Sequence, residues 1–393
     1  MKNQLIFETI SNTVKSVNYD YGLHSGTGGI AMYFYVTSQC YNGKGIEECE
    51  TIISSVIESL NNDKLDSTFC YGIAGFGWML EYLIQKNYID RNDLDVFPFI
   101  DEYLQKQKIE YVLNKNYDFL HGYTGVALYF FKRYKGTKEC LPNIKEYLDF
   151  LDDIKIYDIK SDGFAWLAPV NNEDPIKVFN LSLSHGISSI IAILSKFVID
   201  DIFIDKSKYL LTGSIKYLLN QKIENEKSVF FPNYIELDGT YSNQNRMAWC
   251  YGDLGVANSI YMAGLALNRR DLIDFSINIF SVIGEARKGI EESLVKDSCI
   301  CHGTAGICLI YFHLYKKTNI KQFKNIALYW RNETDKMACH IDGLAGYKTY
   351  YPENYGGLKN NISFLEGICG VGIVNSVVDF DLDPDWDECL LLS

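Results

Sequence analysis

Seven stretches of this chain are apolar on nearly every side, and each follows a closely spaced pair of small residues, usually glycines. They read "SGTGGIAMYF" (25–34), "YGIAGFGWML" (71–80), "HGYTGVALYF" (121–130), "HGISSIIAIL" (185–194), "YGDLGVANSI" (251–260), "HGTAGICLIY" (302–311) and "EGICGVGIVN" (366–375). In the fourth copy Ser189 stands where the others have the second glycine. A helix that is apolar all round is enclosed by other elements. Between these runs lie amphipathic segments such as "GIEECETIISSVIESLNN" (45–62), with Ile52, Ile53, Val56, Ile57 and Leu60 at helical spacing.

The first glycines fall at 26, 72, 122, 186, 252, 303 and 367, so the steps are 46, 50, 64, 66, 51 and 64 residues. A period near 50 accommodates two helices of about 11–12 residues with their connections. The longer steps leave room for insertions. "KSVFFPNYIELDGTYS" (227–242) predicts a β-hairpin turning at Asp238-Gly239. Enclosed helices alternating with half-exposed ones predict an all-α fold: an α/α toroid of seven hairpins with inner and outer rings and small β-hairpin or loop insertions. An open helical solenoid satisfies the same pattern. Residues 1–393 are expected to form one domain.

Composition narrows the function. A chain of 393 residues that is 47% hydrophobic and 14% aromatic has ample material for a large core. The net charge of −13 argues against nucleic acid as a partner, because phosphate backbones are bound by clustered Lys and Arg. The start, "MKNQLIFETISNTVKSVNYD", lacks the pattern of a signal peptide, and no run reaches the roughly 18 apolar residues of a membrane span. The 11 cysteines, an odd number at no disulfide-like spacing, read as reduced cytosolic thiols, most of them core residues.

If the seven motifs are equivalent, the residues just before their glycines share one rim, where helix N-termini favour anions and thiolates. Packing alone accounts for most copies. The fourth, fifth and sixth ask for more, offering His185, Cys250, and the adjacent Cys301 and His302. Two cysteines and a histidine have the types and number of a catalytic zinc site with a fourth position open. Adjacent ligands require non-helical backbone between them, which a helix start supplies. Cys70 and Cys369, near other copies of the motif, read as core residues. His121, at the third rim position, reads as an ordinary rim or core histidine.

"WCYG" (249–252), "CHGTAG" (301–306), an upstream "HG" and the repeated glycine pairs resemble the lanthionine synthetase C-like (LanC) cyclases over essentially the whole chain. Two positions depart from the family's pattern: Leu254, where proline is usual, and Ser184, where glycine is common. The length suits a stand-alone cyclase. The resemblance implies one zinc ion per chain on Cys250, Cys301 and His302, an acid–base histidine at His185, and further site residues at Asp118, Arg246 and Tyr251. It carries no zinc role over to His121. It also implies a dehydrated precursor peptide as substrate and association with a dehydratase and an export transporter. The location it implies is cytoplasmic, peripheral to the membrane when in such a complex.

The implied reaction adds a cysteine thiol of the precursor to dehydroalanine or dehydrobutyrine, closing a (methyl)lanthionine ring. Zinc lowers the thiol pKa, and the enolate formed by attack at Cβ needs a proton at Cα. That acid is either His185, with Asp118 orienting it, or a metal-bound water. Arg246 would hold the enolate or a peptide carbonyl; for Asp118 and Arg246 alike, an ordinary structural ion pair is the alternative. Two other readings remain open: a zinc prenyltransferase-like barrel, for which a basic diphosphate pocket is missing, and a LanC-like zinc protein that binds glutathione or a partner without forming rings.

Overall fold

The computed structural model describes residues 2–14, 20–60, 65–168, 177–224, 228–242 and 245–393. Asn61 and Asn62, the tail of the predicted amphipathic segment, and Lys227 lie outside these. In chain order the helices are α1 (Lys2–Val14), α2 (Thr27–Ser38), α3 (Ile46–Ser59), α4 (Ile73–Gln85), α5 (Phe97–Leu113), α6 (Tyr123–Thr137), α7 (Leu141–Ile154) and α8 (Ile187–Ile199). There follow α9 (Ile204–Asn220), α10 (Asp253–Ala266), α11 (Arg270–Ala286), the single turn α12 (Ile290–Ser293), α13 (Thr304–Thr318), α14 (Lys321–Lys336) and α15 (Ile368–Asp379). Among the described residues no helix is long and apolar enough to cross a membrane.

Every first glycine of the sequence repeat is the N-cap of a helix: α2, α4, α6, α8, α10, α13 and α15 begin one residue after it. These helices are enclosed as predicted; every residue of α4 from Ile73 to Leu83 is buried. The intervening helices bury one stripe, as α3 does with Cys49, Ile52, Ile53 and Val56. Each fully buried Leu, Ile or Phe contributes about 1.5–3 kcal/mol, whereas glycine at an N-cap forgoes only a few tenths of a kcal/mol. Packing therefore outweighs capping at these helix starts.

What shapes the turn into each helix is a residue the repeat had hidden. Six positions before the motif glycine stand Asp20, Asp66, Asn116, Asn180, Asp297 and Asn361, with Arg246 the one exception. The carbonyl oxygen of such a residue accepts the N–H of the helix's first residue, as from Ile73 to Asp66 (2.8 Å), Tyr123 to Asn116 (3.0 Å) and Thr304 to Asp297 (3.0 Å). Its side-chain oxygen accepts the N–H two residues on, as in Asp66 (2.6 Å), Asn180 (2.9 Å), Asp297 (3.1 Å) and Asn361 (2.8 Å). Asp and Asn serve alike here.

By density of contacts the chain divides into two compact units, both discontinuous: residues 1–101 with 295–385, and residues 102–294 with 386–393. In the first unit α2 packs on α3, α4 and α15, and α13 packs on α14 and α15. The N-terminal α1 packs on α15. In the second unit α8 packs on α6, α9 and α10, α6 on α7, and α10 on α11. The last residues complete this unit. The Trp249 indole N–H donates to the carbonyl of Leu390 (2.8 Å), Asn258 donates to that of Leu391 (3.0 Å), and Lys132 pairs with Glu388 (2.6 Å).

Short strands insert where the repeat steps are long. β1 (Ile156–Asp158) and β2 (Gly163–Ala165) form an antiparallel hairpin, β3 (Val178–Asn180) pairs with β4 (Tyr234–Glu236), and β5 (Thr349–Tyr350) pairs with β6 (Leu358–Lys359). The expected turn at Asp238-Gly239 forms, with Glu236 N–H donating to the Thr240 carbonyl at 2.9 Å and Gly239 at φ +90°. The strand before it, however, pairs with Val178–Asn180 and not across the turn.

Candidate active site and metal donors

In the second unit, the loops leading into α6, α8 and α10 assemble a polar cluster. Asp118 lies four residues before Gly122, and its Oδ2 is 2.6 Å from Nδ1 of His185. Its Oδ1 accepts the backbone N–H of His121 at 2.8 Å, which fixes the carboxylate in place. The His185 backbone N–H is held in turn by Ser182 Oγ (3.1 Å). With the carboxylate on Nδ1, the other ring nitrogen, Nε2, is the one left to exchange a proton.

The charges support that arrangement. Burial works against a charged ring at His185, but the Asp118 carboxylate, its hydrogen bond and the nearby Cys250 thiolate together raise the pKa above its ordinary value. Burial would push the Asp118 carboxyl up, yet His185 and the charge and N–H of His121 outweigh it and hold it below the usual range. The His185 ring packs against Tyr251 at 5.7 Å between centroids and stacks on His121 at 5.9 Å. The Tyr251 hydroxyl accepts from Asn180 Nδ2 at 3.2 Å, and burial pushes its pKa up to about 12, so it remains a neutral phenol. Cys250 is buried, and its carbonyl accepts the N–H of Leu183 at 3.2 Å, tying the Cys250 loop to the His185 loop.

Arg246 stands at the one turn-forming position not occupied by Asp or Asn. The turn there is made by Gly252, at φ +114°, where an added Cβ would lie 2.0 Å from the Arg246 carbonyl oxygen. A buried network braces the loop from both ends. Arg287 donates to the side chain and carbonyl of Asn245 (2.8 and 2.6 Å), Asn245 donates to Asp253 (3.0 Å), and Asp253 accepts the N–H of Phe231 (2.8 Å). Burial raises the Asp253 pKa to about 6. Among the described residues the Arg246 guanidinium enters no ion pair.

In the first unit, the loop before α13 carries Cys301 and His302 on the non-helical backbone that adjacent donors require. Both are largely buried, and the Cys301 N–H donates to the Leu365 carbonyl (3.0 Å). Asp297, fully buried, places Oδ2 3.1 Å from Nε2 of His302. Asp297, Cys299 and His302 form one group of donors whose ligand atoms lie within 4.8 Å of one another. Burial pushes the Cys299 thiol up to about 12, which keeps it protonated. Cys70 and Cys369 are buried, as expected of core residues.

Three residues of these two groups escape a reading of the sequence or are undervalued by it. Asp297 carried a signal, the Asp-or-Asn spacing six before the glycine. Asn180 carried the same one. His121 was seen but read as ordinary; its stacking on His185 depends on a contact between two loops that no spacing reveals.

An α-helical repeat that gathers thiols, imidazoles and carboxylates where its inner helices begin is equipped for thiol chemistry. The chain belongs to the lanthionine synthetase C-like family, whose model matches residues 17–391. It is 23% identical over 399 residues to the nisin biosynthesis protein NisC of Lactococcus lactis subsp. lactis, covering 95% of this chain and 90% of that protein. Its fold matches that of a nisin cyclase structure with a TM-score of 0.79 at 20% identity, over 98% of this chain and 96% of the other. The all-α fold class, an α/α toroid, is the one expected from the repeat.

Proposed function

We propose that this lanthionine-forming cyclase holds one zinc ion on Cys250, Cys301 and His302 and uses His185 as the acid that completes each ring. The observation that carries the reading is the Asp118–His185 pair, 2.6 Å apart, with the His185 loop hydrogen-bonded to the Cys250 carbonyl. The donor chemistry fits the metal: two thiolates with one imidazole suit zinc with a fourth position open. Bound there, zinc would lower the pKa of a substrate thiol so that the thiolate exists at neutral pH.

The chain's own residues do the rest. The peptide's cysteine sulfur attacks Cβ of dehydroalanine or dehydrobutyrine, the C–S bond forms, and the π electrons move onto the carbonyl as an enolate. His185, charged because Asp118 favours its charged form, delivers a proton from Nε2 to Cα and is reprotonated by the proton the thiol gave up. Mass is unchanged. Tyr251, neutral and held by Asn180, packs on the His185 ring and limits its motion. Arg246 stabilises the enolate or holds a peptide carbonyl.

The substrate is a dehydrated precursor peptide. A dehydratase must precede this step, and an export transporter follows it. Residues 1–393 act as a single domain, in keeping with one family model spanning 17–391, in the cytoplasm and at the membrane when assembled with the transporter. The test is incubation with a dehydrated, Cys-containing precursor, with and without prior chelation. Thiol loss at constant mass, abolished by chelation and restored by zinc, is expected. Peptide thiols that stay alkylatable would turn the protein into a zinc-binding module without ring-forming activity.

A further inference from the structure

Asp297 occupies one of the repeat's turn-forming positions, but it does something its equivalents are not seen to do. Its Oδ1 accepts the N–H of Cys299 (3.1 Å), the ordinary task of the position. Its Oδ2 accepts the N–H of Tyr350 (2.8 Å) and lies 3.1 Å from Nε2 of His302, five residues ahead. The carboxylate is fully buried and accepts two rigid backbone amides, with the His302 ring nitrogen as its third polar neighbour. Its position is set from outside the loop, by β5, and it stands beside the histidine ring.

We propose that Asp297 is the positioning residue of the metal centre: by accepting the Nε2–H of His302 it fixes the tautomer and ring orientation in which Nδ1 is the coordinating nitrogen. This rests on the zinc reading above. A histidine ligand whose second N–H is held by a carboxylate is a better-oriented and more basic donor, and loss of such a partner lowers metal affinity about 10–100-fold. The repeat supplies a control. Asn116, Asn180 and Asn361 build the same turn with an amide, so Asp297→Asn keeps a residue that the turn accepts. It nevertheless presents an N–H₂ group to Nε2, which favours the Nδ1–H tautomer and takes the coordinating nitrogen away.

The experiment measures zinc affinity by chelator competition, helical content by circular dichroism, and the histidine tautomers by ¹⁵N NMR of the zinc-loaded protein. Wild type is expected to hold one zinc with His302 bound through Nδ1. Asp297→Asn should lose about 10–100-fold in affinity at unchanged helicity, and Asp297→Glu should recover part of it. Wild-type affinity in Asp297→Asn, or His302 bound through Nε2 in the wild type, overturns the proposal; the NMR result stands even if the variants fold poorly. Zinc lost in Cys299→Ala but kept in Cys250→Ala would make Asp297 a ligand and overturn it as well. A wild type that holds no zinc at all removes the metal reading itself, a result distinct from a zinc-bound wild type whose Asp297→Asn variant binds equally well.

Discussion

Among the described residues two aspartate–histidine pairs stand out, one in each unit, and they differ in what surrounds them. Asp118 and His185 come from loops 67 residues apart, at 2.6 Å, and the His185 side chain keeps 28% of its surface exposed. Asp297 and His302 come from one loop, at 3.1 Å, with His302 at 12% and Asp297 at zero. The first carboxylate accepts one backbone N–H, the second two. An open pair whose ring is biased towards charge suits a proton that must leave. A closed pair, saturated by amides, suits a proton that must stay. In the proposed roles the same two side chains would serve opposite ends, with solvent access and backbone saturation deciding which.

That contrast can be broken at four points. Cys301→Ala should have the largest effect, with zinc falling well below one per chain and cyclisation to background, read by elemental analysis and the thiol assay. His185→Ala should keep its zinc and still lose about 10²–10⁴-fold in rate; normal cyclisation in this variant would falsify the acid assignment. Asp118→Asn should cost less, about 10–100-fold, and change the pH profile. Because the carboxylate raises the His185 pKa, activity that needs the charged ring is lost as pH rises through that pKa. Without the carboxylate that loss should come at lower pH in a plot of kcat/KM, and an unmoved limb would separate the profile from His185. Cys299→Ala should do least: zinc unchanged and stability lowered by about 1 kcal/mol in urea unfolding, whereas loss of metal there would make the closed pair a binding site in its own right.

The sequence was most legible where one physical constraint recurs. Close packing at an enclosed helix start demands a small residue, and all seven motif glycines sit at N-caps. The donors Cys250, Cys301 and His302 were visible because they interrupt that pattern with chemistry that packing does not need. Asp297 was not, since an Asp six residues before a glycine looks like any other turn residue until its second oxygen finds a ring. The pairing of Val178–Asn180 with Tyr234–Glu236 escaped for another reason. The Asp238-Gly239 turn is a genuine local signal, but the partner strand lies more than fifty residues upstream, beyond what local propensity can report. Arg246 was placed through resemblance alone; only the structure reveals it as the single break in the row of turn-forming Asp and Asn residues.

The interleaving of the two units sets the order in which they can mature on the ribosome. Residues 1–101 must wait for all of Val295–Asp385 before their unit is whole, a delay of roughly 15–60 s at typical elongation rates. The second unit, though continuous through Leu294, lacks Trp386–Ser393 until the first unit has been made. Its buried Trp249 and Asn258 therefore wait for their Leu390 and Leu391 acceptors until those residues follow. Of the helices that α2 packs on, α3 and α4 are made soon after it and α15 only hundreds of residues later, so one side of its apolar surface is covered long after the other.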